Sequence, residues 1–532
     1  MSSLTKTFKL SKNAISTWII ATLVLCLNFA PLLFNFIWGN HDWMPLLAGS
    51  TLKSGLIEGR FSQYIFINLL FDGNILPILN IVFGFLLYSF SIVLLTTKVF
   101  SFNTKSFASN IIILSAITLP YIIEILYFQF ICLSQLIWPL IITLSIIFIQ
   151  KATTEHKIIN TLIGTILLLL AIGGYPASIN MYITISCLLF IQLNNSTLLN
   201  LKTNIIKFIP FIISAITSLI ILKVIYIYLQ NNNLMLTLYN NSTIGLANLA
   251  SKLHQTVATS ILSLLQPLPF FNALFKLTSF AIFILFAINY IFSAKKNQTK
   301  LIHAALIITL LICIKFSAFL TNETSDNYFA QFDPIGFMVR TDFYSIPTLL
   351  LFSLFYLNNK KKYIYKNIVF TLSIILLWLN LNANYTFCKT SLLGFKAENM
   401  LTDRIITRIH SHPEFNSQKA YSLLQIGEIS LRPKYYTPNT LEKYGYYTLN
   451  TPFTRFWVAQ EYYNFYTTYD FVANSNNLSP QNLDNNFNDF ISNKIKTWPN
   501  QDSIYIDNSH ILVIMNDEMK QSFKQQFNLL SR

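Results

Sequence analysis

The sequence predicts a polytopic α-helical membrane protein of about eleven spans with a small C-terminal α/β extracytoplasmic domain. Three observations predict it. Hydrophobic residues make up 53% of the 532-residue chain and charged residues only 11%, with a mean hydropathy of +0.49, outside the range of soluble proteins. Charges are sorted about the apolar runs: of the nine carboxylates before residue 383, eight fall on the side away from the lysine-bearing loops. Beyond residue 382 the material changes, with 14 Lys+Arg against 13 Asp+Glu and many Asn and Tyr.

A span needs about 20 mostly apolar residues. The runs that meet this in order are 15–37, 74–96, 107–126, 130–150, 158–173, 178–194, 208–229, 271–293, 301–320, 343–358 and 366–382. Lys6, Lys9 and Lys12 precede the first run, and no small-x-small cleavage site lies near Ala30, so it reads as an uncleaved span rather than a signal peptide. With a cytoplasmic N-terminus, every even-numbered span returns to a loop rich in lysine: Lys98 and Lys105; Lys151 and Lys157; Lys202 and Lys207; Lys295, Lys296 and Lys300; Lys360, Lys361, Lys362 and Lys366. The loops 38–73, 127–129, 174–177, 230–270 and 321–342 hold few. That is the positive-inside pattern. It accounts for the net charge of +15 without nucleic acid, since the lysines form no continuous stripe. It also places residues 383–532 outside, separate from a membrane domain of residues 1–382.

In the tail, Asp403–His410 reads as helix and Ala420–Ile426 as strand. Ser503–Ile506 and Ile511–Met515 read as paired strands about the turn Asp507-Asn508-Ser509, with a polar helix to the end. Cys26, Cys132, Cys187 and Cys313 lie in apolar runs and Cys388 is alone in the tail, so there is neither a disulfide framework nor a CxxC metal site. No P-loop, GxGxxG or HExxH occurs.

Candidate chemistry concentrates in the first outer loop, 38–73, which contains Trp38-Gly39-Asn40-His41-Asp42-Trp43 and Glu58-Gly59-Arg60. Asp42 stands at the water–lipid boundary, where a carboxylate can act as a general base toward an incoming hydroxyl. The bland alternative makes Trp38 and Trp43 interface anchors and Asp42 a loop-solvating charge. Arg60 can pair with Glu58 or hold a phosphate in its guanidinium fork. Phe61–Asp72 reads as a helix lying in the interface. Glu124 and Gln129 flank the hairpin after span three, where snorkelling to water is an equal reading. Gly173-Gly174-Tyr175-Pro176 is a tight outer turn, for which turn chemistry alone is a sufficient reason. Arg340, in the outer loop 321–342, runs against the positive-inside bias and so calls for a phosphate or carboxylate partner.

In this order and topology the residues resemble glucosyl transferase family II, the bacterial serotype-converting O-antigen glucosyltransferases. The resemblance is carried by Asp42 after span one, Gly59-Arg60, the interfacial helix and Leu76-Pro77 entering span two. Further along come the hairpin Pro120 to Gln135, Gly174-Tyr175-Pro176 with Asn180 and Tyr182, and Phe337-Met338-Val339-Arg340. It covers about residues 15–430. It implies a GT-C-like inverting glycosyltransferase of the bacterial inner membrane, using a polyprenyl-phosphate sugar, expected to be glucose, on the periplasmic face. Asp42 would then be the base, and Arg340, with Arg60 second, would hold the donor phosphate. Glu58, Glu124, Gln129 and Tyr175 would contact sugar or acceptor, the latter a lipopolysaccharide O-antigen or another surface glycan. The family tends to carry two adjacent acidic residues where this chain has His41-Asp42, which disfavours a bidentate metal clamp. No cofactor follows, and any divalent metal would take Asp42 and His41. A lipid-linked glycan flippase or secondary transporter, and a glycan polymerase or ligase, are the rival classes. The first is disfavoured because Lys223 and Lys315 are the only basic residues well inside spans and no repeat is visible. The second is disfavoured because the late outer loop offers only Arg340.

Overall fold

The computed structural model describes residues 10–35, 56, 59–71, 77–126, 132–194, 201–235, 273–294, 296–321, 334–360, 363–426, 496–507, 510–515, 517 and 521. The chain falls into two units, residues 1–34 with 50–387 and residues 35–49 with 388–532.

In the first unit, Ser11 caps α1 (Lys12–Asn28) by accepting from the Ala14 N–H at 3.2 Å. The expected first span then breaks at Phe29, before α2 (Ala30–Asn35). Pro31 is the reason, because its ring clashes with the carbonyl four residues back. The helix α3 (Phe61–Phe71) follows, and then α4 (Pro77–Leu94), which begins on a proline where the missing N–H costs nothing. The expected third span is also broken, into α5 (Phe107–Ile117) and α6 (Ile122–Leu126), at Leu119-Pro120. The carbonyls that α5 leaves open at Ser115 and Thr118 are served by Asn380 Nδ2 at 2.7 Å and Asn384 Nδ2 at 2.9 Å.

Longer helices complete the unit: α7 (Cys132–Ala152), α8 (Lys157–Gly174), α9 (Ile179–Leu193), α10 (Leu201–Asn231), α11 (Ala273–Phe292), α12 (Asn297–Thr321), α13 (Pro334–Asn358) and, up to residue 387, α14 (Tyr363–His410). Two differ from the sequence reading. Residues 334–342 were expected in a loop, yet Pro334 opens α13, so Arg340 stands on its second turn; Ile335, Phe337, Met338 and Val339 supply apolar helix. Span 366–382 and the helix Asp403–His410 were expected as separate elements and are one continuous helix.

Among the described residues, eight helices are long and apolar enough to cross a membrane; α1 and α5 are shorter apolar helices. The faces they expose are aliphatic. On α10, Ile205, Ile209, Ile212, Ile216 and Ile220 are exposed while Ser214 and Ser218 are fully buried. This arrangement is inverted relative to a water-soluble helix and suited to lipid. The buried hydroxyls bind neighbouring helices: Thr165 Oγ1 to Ser214 Oγ at 3.0 Å, Ser145 Oγ to the Gly164 carbonyl at 2.7 Å, and Ser91 to Thr143 at 3.0 Å. These are the features of a polytopic helical membrane protein.

One end of the bundle gathers the lysine-bearing turns. Gln150 Nε2 donates to the Val99 carbonyl at 3.2 Å and Gln192 Nε2 to the Phe100 carbonyl at 3.1 Å. Phe102 stacks on Phe355 at 5.0 Å. These contacts bring the turns carrying Lys98, Lys105, Lys151, Lys157 and Lys360 together. The other end carries Arg60, Tyr175 and Tyr344.

In the second unit, three strands, β1 (Ser422–Ile426), β2 (Ile504–Ile506) and β3 (His510–Ile514), form a sheet in the order β1-β3-β2. β1 runs parallel to β3 with Ser422 opposite His510, and β2 antiparallel with Ile504 opposite Val513. Leu401, Ile405 and Ile409, spaced four apart on α14, share a core with Leu423, Ile506, Ile511 and Val513. The strands match the sequence reading within one or two residues; most of the expected terminal helix lies outside the described residues.

Candidate functional site

The site is assembled at the end of the bundle opposite the lysines. Gly59, at φ +76°, turns the chain into α3, and its N–H donates to the Leu56 carbonyl at 2.9 Å. The turn sets Arg60 with its guanidinium 5.2 Å from the centre of the Tyr175 ring. The contact sets a guanidinium charge over the face of an aromatic ring. Tyr226 of α10 is an electrostatic neighbour of the same guanidinium.

Tyr175 caps α8 in an extended conformation, and the turn Pro176–Ser178 follows it. The Tyr175 ring packs 5.7 Å from that of Tyr344 on α13. The Tyr344 hydroxyl donates to the Gln135 carbonyl at 3.3 Å. Pro139 explains that bond: it has no N–H to give to the carbonyl four residues earlier, which is that of Gln135, and Tyr344 takes the place. Gly173 and Gly174 let the parts close up. A β-carbon on Gly173 would run into Phe61 and Ser62, and one on Gly174 into the Trp138 ring. Phe66 of α3 sits 6.1 Å from that ring.

Around these aromatics lie polar atoms that are buried and make no hydrogen bond among the described residues. They are Ser62 Oγ and Gln63 Oε1 on α3, Asn80 Oδ1 on α4, Gln135 Oε1 and Trp138 Nε1 on α7, and Ser178 Oγ. All six residues are less than 5% exposed. Gln135 and Trp138 share a face of α7, three residues apart. Asn80 is one turn above Gly84, which packs on Leu136. Each orphaned atom costs about 1–3 kcal/mol, so the set rivals the whole stability of a typical domain, about 5–15 kcal/mol.

Of the residues nominated from sequence, the structure brings Arg60 and Tyr175 into contact. Asp42, His41, Glu58 and Gln129 lie outside the described residues. Glu124 is on α6 and Arg340 on α13, with side chains outside the described set. Sequence reasoning did not nominate Gln63, Asn80, Gln135, Trp138, Tyr344 or Asp342. The available signal was a polar or aromatic residue within two turns of the same end of several apolar helices. Asp342 is 5% exposed and is an electrostatic neighbour of Tyr121. Two residues from Tyr344, it occupies the opposite side of α13.

Among the described residues no group of three or more His, Cys, Asp or Glu is placed to hold a metal ion. The second unit has a groove of about 1060 Å³ lined by Asp403, Arg408, Trp498 and Asp502 among others. Arg408 and Asp502 of that lining are partnered within the unit. Arg408 stacks on Trp498 at 4.4 Å and donates to the Pro499 carbonyl at 2.7 Å, and Lys496 pairs with Asp502 at 3.1 Å. No protein-family model matches the chain, nor does any curated protein or solved structure, so the chemistry is argued from this geometry.

Proposed function

We propose that the protein is an inverting glycosyltransferase of about eleven spans in the bacterial inner membrane, moving glucose from a polyprenyl-phosphate donor to a surface glycan such as lipopolysaccharide O-antigen. The observation that carries this reading is Arg60 stacked on Tyr175 beside buried polar atoms at one end of an apolar bundle. A lipid-linked donor needs that combination: lipid on the flank, a cation for its phosphate, and hydrogen-bonding groups for its sugar. By the positive-inside rule the lysine end faces the cytoplasm, which puts this site and the C-terminal α/β domain in the periplasm.

In the reaction an acceptor hydroxyl attacks the anomeric carbon while Asp42 takes its proton. The bond from that carbon to the phosphate oxygen breaks, its electrons leave with the polyprenyl phosphate, and the anomeric configuration inverts. The phosphate gains a negative charge as it departs, and Arg60 and Arg340 stabilise it. Transporters build their midplane sites from discontinuous helices; α7, α10 and α13 run unbroken through Pro139, Pro210 and Pro347, while breaks fall after α1 and α5, so the transferase reading rests on Arg60 and the buried polar atoms rather than on helix continuity.

The test is transfer of label from radiolabelled polyprenyl-phosphate glucose to surface glycan by purified protein in lipid. Wild type transfers and Asp42→Asn, folded and equally abundant, does not. Undiminished transfer by Asp42→Asn removes Asp42 from the mechanism, and no transfer by wild type removes the proposal.

A further inference from the structure

The orphaned atoms beside Arg60 differ in kind from a phosphate site. The amide oxygens of Gln63, Asn80 and Gln135 only accept hydrogen bonds, and a phosphate or carboxylate at neutral pH has no proton to offer them. Trp138 Nε1 only donates, and the Ser62 and Ser178 hydroxyls do either. A group that satisfies all of them must carry several O–H groups, each donor and acceptor at once. Trp138, Tyr175 and Tyr344 pack among these residues, and aromatic rings suit the C–H faces of a sugar. Arg60, against the Tyr175 ring, adds a positive charge beside them.

We infer that Gln63, Asn80, Gln135 and Trp138 form a hydroxyl-recognising subsite for the hexosyl group of a glycosyl phosphate, with Arg60 next to it on the phosphate. The inference rests on the reading above only in equating that group with the donor's sugar. It assigns to these four residues the discrimination of a polyol from bare phosphate. A site built to bond hydroxyls rejects ligands that lack them, because its own buried polar atoms are then left unpaired.

The experiment uses the full chain in lipid nanodiscs and measures thermal unfolding and binding with glucose 1-phosphate, free glucose and inorganic phosphate. Glucose 1-phosphate is expected to raise the unfolding temperature more than inorganic phosphate at equal concentration. Gln135→Leu and Asn80→Leu remove the unmet amide without changing bulk. They are expected to unfold at or above the wild-type temperature without ligand, yet to weaken glucose 1-phosphate binding tenfold or more. Inorganic phosphate binding should be unchanged. Ser178→Ala, which deletes one atom, gives the same test if the leucine variants fail to fold, with a fewfold loss expected.

Wild-type affinity for glucose 1-phosphate in folded variants overturns the subsite. So does a wild type that responds equally to glucose 1-phosphate and inorganic phosphate, which would mean that water satisfies these atoms. The two readings separate cleanly. Binding that is lost in Gln135→Leu, with no transfer from polyprenyl-phosphate glucose by wild type, keeps the subsite and removes the transferase. Transfer by Gln135→Leu with unchanged KM and kcat removes the subsite and keeps the transferase.

Discussion

Replacing Gly174 with alanine tests the packing on which the candidate site depends. The new β-carbon would overlap three atoms of the six-membered ring of Trp138, Cζ2, Cε2 and Cη2. Trp138 is 3% exposed and packed beside Phe66, so its ring cannot swing into solvent. Overpacking of this kind costs about 1–3 kcal/mol. Alanine's better helix propensity returns up to about 1 kcal/mol, and less at the last residue of α8. The net loss expected is about 1–2 kcal/mol, which shifts the folding equilibrium by about fivefold to thirtyfold. Denaturant unfolding in mixed micelles reads it. The decisive arm is the pair Gly174→Ala/Trp138→Leu, which clears the colliding ring. The double variant should be less destabilised than the sum of the singles, with a coupling of about 1–3 kcal/mol for residues in contact. Additive singles, or a Gly174→Ala protein as stable as wild type, would refute the account of how α7 and α8 meet.

Three further outcomes are expected. Arg60→Ala should lower kcat/KM for polyprenyl-phosphate glucose by about tenfold to a hundredfold, the loss of about 1.5–3 kcal/mol for a charge-assisted bond. Arg60→Lys should recover part of it, since charge returns without the stacked fork; the transfer assay distinguishes the two, and equal rates for all three proteins would count against Arg60. At the lysine end, His303 stacks on Tyr290 at 4.1 Å and its nitrogens lie 2.9 Å from the Tyr290 carbonyl and 3.3 Å from that of Asn194. His303→Leu should therefore destabilise by about 1–3 kcal/mol in the same unfolding assay, with transfer per folded molecule unchanged. In a cysteine-free background, Asn103→Cys should react with an impermeant thiol reagent only after spheroplasts are lysed, and Gln418→Cys before lysis; the reverse order would invert the topology.

The apolar runs and their lysine-bearing turns were legible because both are local. Hydropathy over about 20 residues is a property of the segment itself, and α4, α7, α8, α9 and α11 begin and end within a few residues of the runs that predict them. Proline was only half legible. Pro31 and Pro120 break helices while Pro139, Pro210 and Pro347 do not, and a helix that runs through proline is helped by a neighbour that serves the freed carbonyl. Tyr344 does so for Pro139 from 209 residues away. The lysine-poor start of α13 reads as a loop because Arg340 and Asp342 interrupt its hydropathy, yet the helix runs through both and Asp342 is buried.

Of the candidate site, residue type marked Arg60 and Tyr175 but not their contact. Chemistry of a side chain is written in one position, whereas convergence is a property of the packed bundle. By itself the sequence determined a helical membrane protein with its cations sorted to one end, since lipid and charge act on each segment separately. Only the tertiary structure decided that Arg60, Tyr175, Tyr344, Gln135 and Asn80 share one end of the bundle. The reason is physical: two bare glycines at Gly173 and Gly174 and one carbonyl left open by Pro139 set how closely α3, α7, α8 and α13 meet.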